Sequence, residues 1–169
     1  MKNILFINGH LNTGGVEKSL IDILKHLDYS KYNVDLLLLE ELGDYISEVP
    51  DQVHVILHSL KNTYGSFAGS LLRCIQERDS FCFIMRFVFL LMKYFGQKRI
   101  RLAKKLLTNA QYYDCVIGFR PGICTQIAAF AVNSNKKITW WHHGEINVEY
   151  NSYLETANAC DRIIVVSEA

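Results

Sequence analysis

Two short stretches of this 169-residue chain concentrate the residue types that can hold or transform a ligand. The first is Asn8-Gly9-His10-Leu11-Asn12-Thr13-Gly14-Gly15-Val16-Glu17-Lys18-Ser19, a polar turn with three glycines that feeds a segment of helical period. Glycines at such a junction leave helix N-terminal amides open to an anion or a sugar. The pair Gly14-Gly15 would equally serve a tight turn and close helix packing. His10, Gly14, Gly15 and Lys18 are the candidate substrate-binding residues of this turn. Two familiar motifs are excluded: there is no G-x-G-x-x-G, and Gly9-x4-Gly14 is followed by Gly15 where a P-loop needs Lys and then Ser or Thr.

The second stretch is Trp140-Trp141-His142-His143-Gly144-Glu145, at the end of an apolar run. A histidine at the carboxyl edge of a strand can donate, accept or relay a proton near neutral pH. It can also simply bond a neighbouring carbonyl. His142 and Glu145 are the catalytic candidates and His143 a further substrate-binding one, although Glu145 reads equally as a solvated loop carboxylate. Adjacent strand residues face opposite ways, so His142 and His143 do not share a metal ion, and neither a metal nor a cofactor is expected. The five cysteines are odd in number and contain no C-x-x-C pair, which points to reduced, buried thiols.

These stretches need a scaffold, and the apolar pattern supplies one. Strands are predicted over residues 3–8, 33–40, 53–58, 114–119, 137–142 and 162–167, several of them apolar at nearly every position, as in Leu36-Leu37-Leu38-Leu39. That is how a strand covered on both faces reads. Between them Val16, Leu20, Ile23, Leu24 and Leu27 recur at helical spacing, as do Ile123, Ile127, Phe130 and Ala131. Alternating strands and helices imply an α/β fold: a doubly wound, Rossmann-like parallel sheet in the order 3-2-1-4-5-6, with ligands at the carboxyl ends of the strands. Residues 1–169 form one domain with a helical insertion at about 66–110, two helices broken near Gly96. Ser167-Glu168-Ala169 reads as a helix start with nothing after it, the mark of a shortened chain or a split protein.

The opening strand, Gly14-Gly15-Val16-Glu17-Lys18-Ser19-Leu20, the Trp140-Trp141-His142 strand end and the closing Asp161-Arg162-Ile163-Ile164-Val165-Val166-Ser167-Glu168 together resemble the N-terminal domain of glycosyltransferase family 4. The resemblance covers nearly the whole chain and is weakest between Ser59 and Tyr113. It implies one half of a GT-B architecture, and transfer of a sugar from a nucleotide-sugar donor to a polysaccharide or glycolipid acceptor with retention of configuration. It also implies that Gly14 and Gly15 lie beside the acceptor and the donor phosphates and that His142 points at the transferred sugar. The E-x7-E motif and most nucleotide contacts of that family belong to a C-terminal donor-binding domain absent from this sequence, so this chain alone should be nearly inactive.

Charge and hydropathy bound the partners. Eighteen basic and seventeen acidic residues leave +1, too little to recruit nucleic acid. No apolar run reaches the ~20 residues of a bilayer span, and the N-terminal apolar stretch is too short for a signal peptide, so the chain reads as cytoplasmic. From Ser80 to Tyr113, however, there are seven Lys or Arg and no acidic residue, interleaved with Phe81, Phe83, Phe87, Phe89, Tyr94 and Phe95. Residues 81–107 are therefore expected to meet an anionic membrane surface at the inner face of the membrane, unless they are an ordinary basic helix face. Two other function classes remain: a non-catalytic, membrane-recruiting subunit of a split transferase, and a dinucleotide-dependent oxidoreductase, for which Glu40 and Glu41 supply the acidic residue after the second strand but no glycine fingerprint.

Overall fold

The computed structural model describes residues 1–142 and 150–165, with backbone alone at 150–153. His143, Glu145 and the helix start at Ser167 lie outside the described residues. Six strands, β1 (Lys2–Asn8), β2 (Tyr32–Leu38), β3 (Val53–Leu57), β4 (Tyr112–Gly118), β5 (Asn133–Trp141) and β6 (Arg162–Val165), form one all-parallel sheet in the order β3-β2-β1-β4-β5-β6. The doubly wound order expected from the sequence is the one observed.

The apolar runs divide between two cores by simple alternation. Leu5 and Ile7 of β1 and Leu37 of β2 face one side, while Phe6, Leu36 and Leu38 face the other. All six are essentially inaccessible, and each such side chain contributes about 2 kcal/mol of transfer free energy. Helix α1 (Gly15–Lys25) covers the Phe6 side with Leu20, Ile21 and Leu24. The Leu5 side is covered by α3 (Ser80–Phe95), a 3-10 stretch at Gln97–Ala103, α4 (Lys104–Thr108) and α5 (Ile123–Gln126), which runs on into a π-helical turn at Ile127–Ala131, while α2 (Phe67–Gln76) packs on α3. Helix α6 (Tyr150–Ala157) connects β5 to β6. Gly118 permits the close approach of α5 to β4, since a Cβ there would stand 2.9 Å from the Thr125 Cα.

Several boundaries differ from expectation, among them the end of β2 at Leu38 rather than Glu40 and the start of β4 at Tyr112 rather than Asp114. The insertion breaks twice rather than once: Gly96 ends α3 with φ +90, and α2 and α3 separate at Arg78, whose φ is +53, before Asp79 caps the Cys82 amide at 2.9 Å. The segment from Ile123 is one short α-helix and a π turn rather than a regular crossover helix. Strand β5 begins at Asn133 rather than Lys137, because Tyr112 and Tyr113 of β4 extend the ladder to Asn133 and Ser134.

Strand order reverses between β1 and β4, so the loops leaving these two strands diverge and open a crevice above the carboxyl edge. The turn after β1 and the residues after β4 and β5 all arrive there.

Candidate functional site

The turn after β1 is built by buried polar groups. Asn8, fully buried, donates from Nδ2 to the His10 carbonyl at 2.7 Å, and the Gly9 carbonyl accepts from the amides of Leu39 and Glu40 at 2.9 and 2.8 Å. These bonds tie the β1 turn to the end of β2. A second clamp comes from the loop after β2, where one Asp44 carboxylate oxygen accepts from the Thr13 amide at 3.0 Å and the Thr13 hydroxyl at 2.9 Å. Asp44 is brought there by Gly43, whose φ of +79 and ψ of 178 belong to a region essentially reserved for glycine.

The Thr13 amide, then the Thr13 hydroxyl, hold the Asp44 carboxyl below its ordinary value of 3.8. Because the folded-state value is depressed, the clamp is complete above the ordinary value and is released as pH falls through the folded one. The Thr13 amide resonance should therefore titrate with a midpoint below 3.8 and lose that titration in Asp44→Asn. A midpoint at or above the ordinary value contradicts the clamp.

At the centre of the crevice His10, Glu17 and Arg120 form a cluster that joins β1, α1 and β4. Arg120, two residues past the end of β4, places Nη1 2.8 Å from His10 Nε2 and 3.6 Å from Glu17 Oε1. The His10 Nδ1 lies 3.2 Å from the Asn12 amide and 3.8 Å from the same Glu17 oxygen. A neutral imidazole has one lone pair in its plane, so it accepts from Arg120 or from Asn12 but not from both, and the two tautomers put the ring proton at opposite ends. Glu17 is only 3% exposed, and its Oε1 has no hydrogen-bond donor. Its charge is met by the Arg120 guanidinium and by the amino end of the α1 dipole.

The glycines of the turn do different things. A Cβ on Gly9 would sit 3.5 Å from Arg120 Nη1 and 3.6 Å from Glu40 Oε1, ordinary contact distances. Gly14 is the N-cap of α1 and makes no side-chain cap bond; its backbone is extended, so its requirement is space, since a Cβ would fall 2.4 Å from Glu17 Oε2. The Cβ position of Gly15 is open, and the first turn of α1 is therefore reachable at that point. Glu40, half-buried just past β2, accepts from the Tyr64 hydroxyl at 3.2 Å on the same edge.

His142 leaves the end of β5 on the α1 side of the sheet. Its ring stacks on Trp140 at 5.8 Å with an interplanar angle of 3° and tilts against Phe119 at 4.9 Å. Its Nε2 donates to the Phe119 carbonyl at 2.9 Å. Phe119 immediately precedes Arg120, so the β5 histidine is packed on the residue that delivers the guanidinium. Lys18 is not in this group: it is exposed on α1 and lies 4.0 Å from Asp22, one turn along.

Of the sequence candidates, His10, Gly14, Gly15 and His142 come together on one edge. Glu17 and Arg120 are given no site role by the sequence pattern, and Glu40 only that of the acidic residue after the second strand in the dinucleotide alternative. Glu17 had a usable signal: it occupies the first place of the stripe 17-20-21-24 that packs on the sheet, and a carboxylate in a core stripe is unusual. Arg120 directly follows an apolar strand end, but its contact with His10 spans 110 residues and exists only in the fold.

Burial pushes the thiols of Cys82 and Cys124 up to about 12 and that of Cys160 up to about 11, far from thiolate formation at neutral pH. Among the described residues no group of three His, Cys, Asp or Glu side chains is placed to hold a metal ion. No protein-family model matches this sequence, and no curated protein matches it.

Proposed function

We propose that this chain is the acceptor-side half of a retaining glycosyltransferase, taking a sugar from a nucleotide-sugar donor and passing it to a cell-surface polysaccharide or glycolipid. The observation that carries the reading is the meeting, above the β1/β4 reversal, of an α1 N-terminus without a side-chain cap, the His10–Arg120 pair and the strand-end His142. Retention of configuration rests on the family resemblance.

Sugar transfer builds negative charge on a leaving diphosphate and positive charge at the anomeric carbon. Backbone amides at the start of α1 and the Arg120 guanidinium offer the leaving group donors that are already in position, without a metal. His142, held by Phe119 and Trp140, is assigned to the donor sugar at the developing oxocarbenium ion, and Glu40 to hydroxyl groups on the acceptor side. On this reading the nucleotide is held mainly by a second, donor-binding domain. The chain alone should then bind a nucleotide sugar no tighter than ~1 mM, or about 4 kcal/mol.

One observation favours a different class. Glu40 follows β2 where a ribose-binding carboxylate stands in dinucleotide enzymes, and Tyr64 orients it. Trp140 and Trp141 at the end of β5 report on both readings by their fluorescence. Titration with UDP-, GDP- and dTDP-sugars should give a weak, saturable change in the millimolar range, and NAD should give none. Micromolar NAD binding would replace the transferase by an oxidoreductase.

A further inference from the structure

A surface helix normally turns polar residues outward, and α3 does not. Its inner face, Cys82, Met85, Val88 and Met92, is buried against the sheet side of the domain. The opposite face carries Phe83, Phe87, Leu90 and Tyr94 at helical spacing, with Ile84 beside them. Tyr94 is 68% exposed, Phe95 64%, and Phe87 and Ile84 42% each. Phe83 and Phe87 pack ring against ring at 5.3 Å, and Phe87 meets Phe67 of α2 edge-on at 5.8 Å, so the aromatics extend across the α2–α3 hairpin. Helix α2 adds Leu72 and Ile75, both 61% exposed. Apolar surface of this extent on one hairpin marks an interaction site.

The charges at its rim identify the occupant. Lys93 Nζ lies 5.8 Å from the Tyr94 ring centre, and the Arg99 guanidinium 5.7 Å from that of Phe95. Arg101 is exposed in the 3-10 stretch that follows, its Nε donating to the Lys98 carbonyl at 3.0 Å. The acidic residues of the hairpin, Glu77 and Asp79, are withdrawn to its turn, where both accept from Asn62 Nδ2 at 2.8 Å. Not every cation of the segment is available. Arg86 and Lys104 are half-buried and bonded to the Gly65 carbonyl and to Asn133, and Lys98 lies 3.8 Å from Glu155, so the set is smaller than the sequence indicates. Exposed aromatic side chains bordered by exposed cations that pair with no carboxylate among the described residues match the boundary layer of an anionic bilayer, whereas a second copy of this rim would bring cations against cations.

We propose that the outer face of the α2–α3 hairpin docks on an anionic phospholipid surface, the aromatic stripe of α3 lying among the headgroups and Lys93, Arg99 and Arg101 meeting lipid phosphates. Its 16 residues give a helix about 24 Å long, short of the ~30 Å hydrocarbon layer, and among the described residues no helix is long and apolar enough to cross a membrane. The helix therefore lies on the bilayer rather than spanning it. This inference stands on the hairpin alone and does not depend on the transferase reading.

The test is co-sedimentation of the chain with vesicles of phosphatidylcholine alone and of phosphatidylcholine with phosphatidylglycerol, at about 0.05 M and about 0.5 M salt. Binding is expected to the anionic vesicles at low salt, weakened at high salt, and absent on the neutral ones. The triple variant Lys93→Glu, Arg99→Glu, Arg101→Glu should lose about a hundredfold in partitioning. The double variant Phe87→Ser, Tyr94→Ser keeps every charge and should lose about tenfold. All substituted side chains are exposed, and circular dichroism checks that each variant is folded. The proposal is overturned if the wild type ignores anionic vesicles at low salt, or if either folded variant binds as well as the wild type. It is equally overturned by a concentration-dependent dimer that Phe87→Ser dissociates while vesicles capture nothing, which would give the face to a second copy.

Discussion

In the form of the protein that supports transfer, His142→Phe is expected to lower turnover about 10²-fold, which is about 2.7 kcal/mol of lost transition-state stabilisation. Phenylalanine preserves the stacking on Trp140 and Phe119 but removes both ring nitrogens, including the donor to the Phe119 carbonyl. The lost hydrogen bond should cost about 1 kcal/mol and move the melting temperature by about 3 °C. Chemistry and structure then separate, because a histidine that only ties β5 to β4 would change stability and leave the turnover of the folded fraction within a few-fold of wild type. Steady-state kinetics beside a thermal melt of the same preparation distinguishes the two outcomes.

The largest stability effect is expected at Gly43, which packs against the β1 turn. Gly43→Ala should destabilise the fold by about 4 kcal/mol, combining a backbone conformation reserved for glycine with an overpacked contact. The added methyl carbon would lie 2.2 Å from the Leu11 carbonyl carbon and 2.4 Å from the Asn12 nitrogen, neither of which can rotate aside. Relief requires the loop after β2 to withdraw from the β1 turn, breaking the Tyr45 amide bond to the Leu11 carbonyl at 2.9 Å and the Asp44 clamp on Thr13. Denaturant unfolding measures the loss, and a change under about 1 kcal/mol would show that the two loops are not locked together.

The strands were legible because a strand covered on both faces is apolar along its length, as Leu36 to Leu38 are, and their order because alternating strands and helices imply a doubly wound sheet. The start of β5 was not, since Asn133 to Lys136 are polar and are held in the ladder by Tyr112, Tyr113 and Cys115 of β4. The second break in the insertion depended on Arg78 taking a positive φ, which its residue type does not announce. In the site, the glycine turn and His142 could be read because glycine beside a helix start and histidine at a strand end have local physical meaning. The His10–Glu17–Arg120 cluster could not, because it depends on β1 and β4 being neighbours, a consequence of the whole topology. Gly43 is the same case: its role depends on what lies beside it in space, the Leu11 backbone, rather than on its place in the sequence.

The central claim is that the carboxyl edge above β1 and β4 receives a nucleotide sugar. Titrating the isotopically labelled chain with UDP-glucose and GDP-mannose up to about 20 mM, while following backbone amide resonances, tests it residue by residue. The account predicts weak, saturable shifts grouped on Gly9 to Val16, on Arg120 and at the end of β5, with the amino edge of the sheet unmoved. Saturable shifts grouped instead at the opposite edge, around Lys2, Tyr32 and Asp114, or no shifts at all at the highest concentration of either donor, would contradict it.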